Sequence, residues 1–289
     1  MRTVYLGTSG FAAAVLDRLA ATPHRPQLVV TRPDRPRGRG RKLAAPPVAD
    51  AARALGLELY QPESVNSDEA RARIAAVEPD VVCVCAFGAL IREPLLSEHE
   101  MLNVHPSLLP RWRGAAPVER AMMAGDERTG VTILKLAAGL DSGPIALIGE
   151  EPIAADDTYG TLAPRLQELG GGLLIRTLDE QPDFIEQSED GVTYAEKIGP
   201  GDRTLDPDAP AEVNDRVVRA LSPHIGARAT LPDSAMLGVL RARPVEPSAS
   251  GPLRADGDRL FLGGLELLEV QPPGGRPMGT AAFLRGHAL

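Results

Sequence analysis

The chain has 289 residues, enough for one large domain or two ordinary ones at roughly 150 residues per domain. A content of 43% hydrophobic and 24% charged residues is that of a globular protein, and 29 Gly with 27 Pro fall short of a disordered or collagen-like chain. The net charge of −8 argues against a protein that coats nucleic acid over its whole surface, but leaves room for a local basic element.

Strand and helix signals alternate from the start. Thr3–Leu6 reads as a short apolar strand, Gly7-Thr8-Ser9-Gly10 as a tight turn, and the next apolar-periodic stretch as a helix to about Ala21. The turn lacks the Gly-x-Gly-x-x-Gly spacing of a dinucleotide site. Gln27–Thr31 is a second strand. A basic Pro/Gly segment follows, then a helix near Val48–Leu55, a strand at Leu57–Tyr60 and a helix over Asp68–Val77. Asp80–Ala86 is a buried strand. Its cysteines, Cys83 and Cys85, read as inert core thiols, since one Cys-x-Cys without further ligands is a poor metal site. Met101–Val104 is another strand, and Pro117–Ala124 a helix. This repetition predicts a mostly parallel, Rossmann-like α/β sheet with helices on both faces, whose ligands sit at the carboxyl ends of the strands.

Val131–Leu136 and Ile145–Pro152 read as strands flanking Gly139-Leu140-Asp141-Ser142-Gly143, with a long helix at Tyr159–Leu178. The charged, aperiodic stretch around Gly199-Pro200-Gly201 marks a boundary. The expected organisation is a first domain over 1–194, a linker over 195–209 and a second domain over 210–289. That second domain begins with a helix at Ala211–Leu221. Short strands at Leu237–Ala242, Arg259–Leu262 and Leu265–Val270 then suit a small, OB-like β-barrel. No uninterrupted apolar run is long enough to span a membrane, and no early run reads as a signal peptide, so the expectation is a cytoplasmic protein.

Asn103-Val104-His105-Pro106 carries the strongest chemical signal. Spacing of two in an extended chain aims Asn103 and His105 the same way, and Pro106 biases His105 towards extended geometry. An amide donor beside an imidazole at a strand's carboxyl end can stabilise charge on a carbonyl oxygen and move protons. The same spacing fits an Asn that caps a turn and a satisfied core histidine, and spacing alone does not choose. Asp141, in its Asp-Ser-Gly context, reads equally well as a turn residue.

Asn103-x-His105 followed by Ser107-Leu108-Leu109-Pro110-Arg111-Trp112-Arg113-Gly114-Ala115-Ala116-Pro117 resembles the signature of folate-dependent formyltransferases, in particular those that act on the methionyl initiator tRNA. Gly139-Leu140-Asp141-Ser142-Gly143 resembles that family's second motif, and the likeness runs on to Met278–Leu284. The resemblance implies transfer of the formyl group of 10-formyltetrahydrofolate to the amino group of methionyl initiator tRNA, for translation initiation. Asn103 and His105 would donate to the oxyanion, and Asp141 would hold the imidazole and help pass on the amine proton. It further implies a folate site against Ser107, Leu108, Leu109 and Pro110 and the segment containing Phe87 and Leu90. Neither a metal nor a covalent nucleophile is implied, and a monomer is expected.

Arg32-Pro33-Asp34-Arg35-Pro36-Arg37-Gly38-Arg39-Gly40-Arg41-Lys42 carries six basic residues and one acid inside an otherwise acidic half. Pro and Gly argue against regular structure, so a basic loop is expected. By itself such a loop is equally a solvated one or a phosphate-binding one. By resemblance it enters the acceptor end of the tRNA, with Arg37, Arg39, Arg41 and Lys42 as contacts and Arg39 deepest. Two departures stand out. Ser9-Gly10 occupies a turn where the family often has Pro, and Pro223-His224-Ile225-Gly226 replaces a common Pro-Trp-Pro-Gly. A formyltransferase acting on a small amine (a nucleotide sugar or glycinamide ribonucleotide) and a non-catalytic RNA-binding protein on the same scaffold are the alternatives. The basic segment and second domain count against the first, and intact Asn103, His105 and Asp141 against the second.

Overall fold

The computed structural model describes residues 1–37, 42–246 and 250–287. The chain divides into two compact units, one of residues 1–114, 129–151 and 163–194 and one of 115–128, 152–162 and 195–289. Residues 195–209, expected as a linker, fall in the second unit, and Leu205 joins its core.

The first unit is built on a seven-stranded sheet in the order Ile145–Pro152, Arg128–Lys135, Met101–His105, Val81–Cys85, Thr3–Gly7, Leu28–Val30 and Leu59–Tyr60. The five strands from Met101–His105 to Leu59–Tyr60 pair in parallel, and Arg128–Lys135 joins Met101–His105 antiparallel. Fully buried strands such as Val81–Cys85 carry apolar side chains on both faces, as a sheet covered on both sides requires. On one face Val4, Leu6, Val82, Val84 and Met101 pack with Ile74 of the helix Asp68–Ala75, whose amino end is capped by Ser67 accepting from Ala70 N at 3.2 Å. The helix Tyr159–Glu180 lies on the other face. A Cβ at its Gly170 would stand 2.9 Å from Val104 Cγ1 and 3.3 Å from Val131 Cγ1, so glycine is what lets the helix approach closely behind the strand that carries Asn103 and His105.

The turn after the first strand has a structural use for its Ser. Ser9 caps the helix Gly10–Ala20, its hydroxyl accepting from Ala12 N at 3.2 Å. Tyr5, Cys83 and Cys85 are completely buried, and burial pushes both thiols up to about 12.

The basic segment departs from the sequence reading. Arg35–Arg37 and Lys42–Ala44 pair as an antiparallel ribbon, with Arg35 opposite Ala44 and Arg37 opposite Lys42. A two-stranded ribbon tolerates Pro36 because it is all edge, and an edge strand does not need every backbone donor.

The second unit holds an antiparallel sheet in the order Ala227–Thr230, Met236–Pro244, Leu265–Gln271, Arg259–Leu262 and Leu253–Asp256, with Met278–Gly279 also pairing Leu265–Gln271. Register shifts on either side of Arg241 curl it. Leu237, Val239, Leu260, Leu265, Leu267 and Val270 meet Val218 and Leu221 of the helix Ala211–Leu221 and Phe283 of the helix Thr280–Gly286 in one core. The buried Glu266 bridges Arg259 at 2.7 Å and Arg243 at 2.8 Å. Its carboxyl is held down at about 2, first by the Arg259 hydrogen bond and against the cost of burial. His224, at the departure from Pro-Trp-Pro-Gly, stacks on Tyr159 with ring centroids 3.7 Å apart and bonds Glu119 at 2.9 Å. An imidazole thus serves both as a stacking surface and as a polar partner at that position.

Candidate active site

Asn103 and His105 stand at the carboxyl end of their strand, on the face shared with Val84 and Met101. In the antiparallel register Asn103 lies beside Leu134 and His105 beside Thr132. Both are buried. The hairpin between Arg128–Lys135 and Ile145–Pro152 brings Asp141 over them. Gly143 is required in that hairpin, because a Cβ there would run into the carbonyl oxygen of Lys135.

Asp141 is the hub. One carboxylate oxygen, Oδ1, accepts from Asn103 Nδ2 at 3.3 Å, and Oδ2 accepts from Gly114 N at 2.9 Å and lies 3.5 Å from His105 Nδ1. The other imidazole nitrogen, Nε2, stands 2.9 Å from Trp112 O, a carbonyl that can only accept. Nε2 therefore carries hydrogen, and a neutral ring presents its Nδ1 lone pair to the Asp141 carboxylate. A proton delivered to Nδ1 would stand between the imidazole and that carboxylate.

The backbone of this site is held in sparsely populated conformations. Asp141 has φ +45° and Trp112 φ +65°, both in the left-handed region. Trp112 is fixed from two sides, its N–H donating to Thr193 Oγ1 at 2.9 Å and its carbonyl accepting from His105. Asp141 is fixed through its carbonyl by Gln187, whose Nε2 donates to Asp141 O and to Gly143 O, each at 2.8 Å. The buried Arg113 in turn donates to Gln187 Oε1 from Nη2 at 2.9 Å and Nε at 3.2 Å.

The segment Ser107–Pro110 is anchored by Thr132. Its buried hydroxyl donates to Ser107 O at 2.7 Å and accepts from Leu109 N at 3.2 Å, while Ser107 Oγ donates to Arg111 O at 2.7 Å. Ser107 and Leu109 are buried, and Leu108 and Pro110 half-buried. The other expected folate-binding residues divide. Phe87 packs into the core beside Val84, whereas Leu90 is 65% exposed, its carbonyl accepting from Asn66 Nδ2 at 2.8 Å. Of the expected tRNA contacts, Lys42 is exposed on its ribbon strand and Arg37 ends the facing one. Arg39 and Arg41 lie outside the described residues.

Thr132, Gln187 and Thr193 were not singled out from the sequence. Each is one polar residue in a segment whose local pattern gives no sign of the site it reaches. A cavity of about 230 Å³ lined by Val81, Leu102, Thr177, Leu178 and Phe184 includes none of these residues and opens near the amino ends of the strands. Among the described residues, no group of three His, Cys, Asp or Glu side chains could hold a metal ion. No described helix is long and apolar enough to cross a membrane.

An amide, an imidazole and a carboxylate thus cluster at the carboxyl end of a mostly parallel sheet. Residues 1–178 match the family described as formyl transferase, and the chain belongs to that family. Over its full length it is similar to the methionyl-tRNA formyltransferase of Halorhodospira halophila, at 42% identity over 307 residues covering 100% of this chain and 97% of the relative. Among solved structures, the fold is shared with methionyl-tRNA formyltransferase from Clostridium thermocellum, with a TM-score of 0.63, 12% identity and coverage of 93% of this chain and 99% of that one. It is also shared with HypX from Aquifex aeolicus in complex with tetrahydrofolic acid, with a TM-score of 0.66, 15% identity and coverage of 98% of this chain. The chain spans about half the length of that protein, 47% of it.

Proposed function

We propose that the protein is a methionyl-tRNA formyltransferase, moving the formyl group of 10-formyltetrahydrofolate onto the amino group of methionyl initiator tRNA. The observation that carries this reading is the Asn103–His105–Asp141 cluster in a chain 42% identical, end to end, to a relative of that name.

The amine nitrogen attacks the formyl carbon, and the carbonyl electrons collect on oxygen as an oxyanion. The second Nδ2 hydrogen of Asn103, the one not given to Asp141, donates to that oxygen. His105 also donates to it once substrate draws its Nε2–H away from Trp112 O. The proton released by the amine passes through the imidazole–carboxylate pair. When the oxyanion collapses, the bond from carbon to the folate N10 breaks and N10 takes up a proton, so the transfer is proton-neutral.

The folate binds against Ser107, Leu108, Leu109 and Pro110, with Leu90 lending apolar surface. Phe87, whose side chain packs into the core, offers the folate its backbone groups. Arg37, Arg39, Arg41 and Lys42 meet tRNA phosphates and bases. The curled antiparallel sheet of the second unit is an OB-like barrel. The first 194 residues carry the catalytic site and 210–289 form the appended domain, in a cytoplasmic monomer.

The test offers the purified protein 10-formyltetrahydrofolate with methionyl initiator tRNA and, separately, with an amino-sugar nucleotide. Formyl-methionine on tRNA alone is the expected result. Transfer only to the small amine would keep the chemistry and overturn the acceptor.

A further inference from the structure

We propose that Gln187 is a positioning residue for formyl transfer: its side-chain amide clamps the Asp141–Gly143 turn so that the Asp141 carboxylate stays aimed at Asn103 and His105. This rests on the proposed formyltransferase reading for its kinetic consequence, though not for its geometry.

The amide's principal hydrogen-bonding groups are all used. The two Nε2 hydrogens go to Asp141 O and Gly143 O, both at 2.8 Å, and Oε1 takes the Nε and Nη2 donors of Arg113. These contacts act on a residue that needs holding, since Asp141 sits at φ +45°. The tip of its hairpin lies at the surface, Leu140 being 59% exposed. The clamp also joins the two catalytic loops. Arg113 belongs to the segment whose Gly114 N–H donates to Asp141 Oδ2, so Gln187 ties Arg113 and Asp141 together from the backbone side while Gly114 ties them from the carboxylate side. Glu189 lies 3.6 Å from Arg113 and gives that guanidinium a carboxylate neighbour besides the Gln187 amide. Losing the clamp frees Asp141 to relax, and displacement of a catalytic group by about 1 Å costs on the order of 100-fold in rate.

Gln187→Glu separates clamping from mere packing. Glu keeps the size and the oxygen that faces Arg113, but turns the two-carbonyl donor into an acceptor. Full-length wild type and Gln187→Glu are compared by kcat and KM with 10-formyltetrahydrofolate and methionyl initiator tRNA, by melting temperature, and by amide exchange at Gly114. The expected result is a fall in kcat of roughly 10- to 100-fold with both KM values nearly unchanged, and faster exchange at Gly114. Gln187→Met, of similar length and without either hydrogen-bonding group, serves if the Glu variant does not fold, and is expected to lose kcat likewise. Wild-type kcat and unchanged Gly114 exchange in a folded variant would overturn the clamp. An inactive wild type would remove the functional reading, leaving the exchange measurement to decide the clamp by itself.

Discussion

Replacing Asp141 by Asn removes the charge at the centre of the site while leaving the side-chain shape nearly unchanged. In the structure the two carboxylate oxygens serve different donors, Oδ1 taking Asn103 Nδ2 at 3.3 Å and Oδ2 taking Gly114 N at 2.9 Å. An amide offers one acceptor oxygen, so in either orientation its NH2 group meets one of those donors. Leaving a buried donor unpaired costs about 1–3 kcal/mol, and for a chain of this size each kcal/mol lowers Tm by about 2–4 °C. The effect on turnover is larger. His105 Nδ1, 3.5 Å from Oδ2, loses the carboxylate that would stabilise it as an imidazolium. Lost proton-transfer assistance lowers kcat by about 10²- to 10⁴-fold. Steady-state kinetics with tRNA and folate varied in turn would show the fall in kcat, with KM for each within about threefold of wild type. A folded Asp141→Asn protein with kcat within about fivefold of wild type would refute the proton path assigned to the pair.

Three further outcomes follow from single contacts. Thr132→Val leaves Ser107 O without its donor and Leu109 N without its acceptor, so it should cost about 1–3 kcal/mol of stability and raise KM for the folate more than KM for tRNA; equal KM values would detach that loop from folate binding. The Glu266 carboxyl titrates at about 2 when folded against an ordinary 4.5, so its contribution is complete above about pH 4.5 and is lost as the pH falls from there towards 2. Acid denaturation should therefore show the gap between wild type and Glu266→Gln closing over that window, and a constant gap would contradict the pairing with Arg243 and Arg259. Cys83 and Cys85, raised to about 12 by burial, should resist alkylation at pH 8 in the folded protein and react fully in denaturant. Labelling of the native protein would place them outside the core.

What the sequence made legible follows from physical range. Val81–Cys85 is readable as a strand because a sheet covered on both faces demands an unbroken apolar run. Asn103 and His105 are readable as neighbours because two residues of extended chain separate like-facing side chains. The Arg35–Arg37 and Lys42–Ala44 ribbon was hidden because Pro and Gly signal breakage, and a pattern of mainly charged residues carries no alternation. Leu253–Asp256 escaped for a related reason: three of its four side chains are exposed, so no buried stripe marks it. Gln187 and Thr193 reach the site from a segment some 80 residues beyond His105 whose local sequence is that of an ordinary loop. Only the fold brings a residue there against Asp141, and periodicity holds no information about such contacts.

In the proposed reaction Asn103 stabilises the oxyanion formed when a methionyl-tRNA amine attacks the formyl carbon. Rapid-quench single-turnover transfer, with wild type and Asn103→Ala each saturated in 10-formyltetrahydrofolate and methionyl initiator tRNA, isolates that step. Wild type should form formyl-methionyl-tRNA, and the variant should bind both substrates with unchanged affinity yet form product about 100-fold or more slowly. An unchanged rate in the variant would remove Asn103 from the mechanism, and no product from wild type would contradict the assigned reaction.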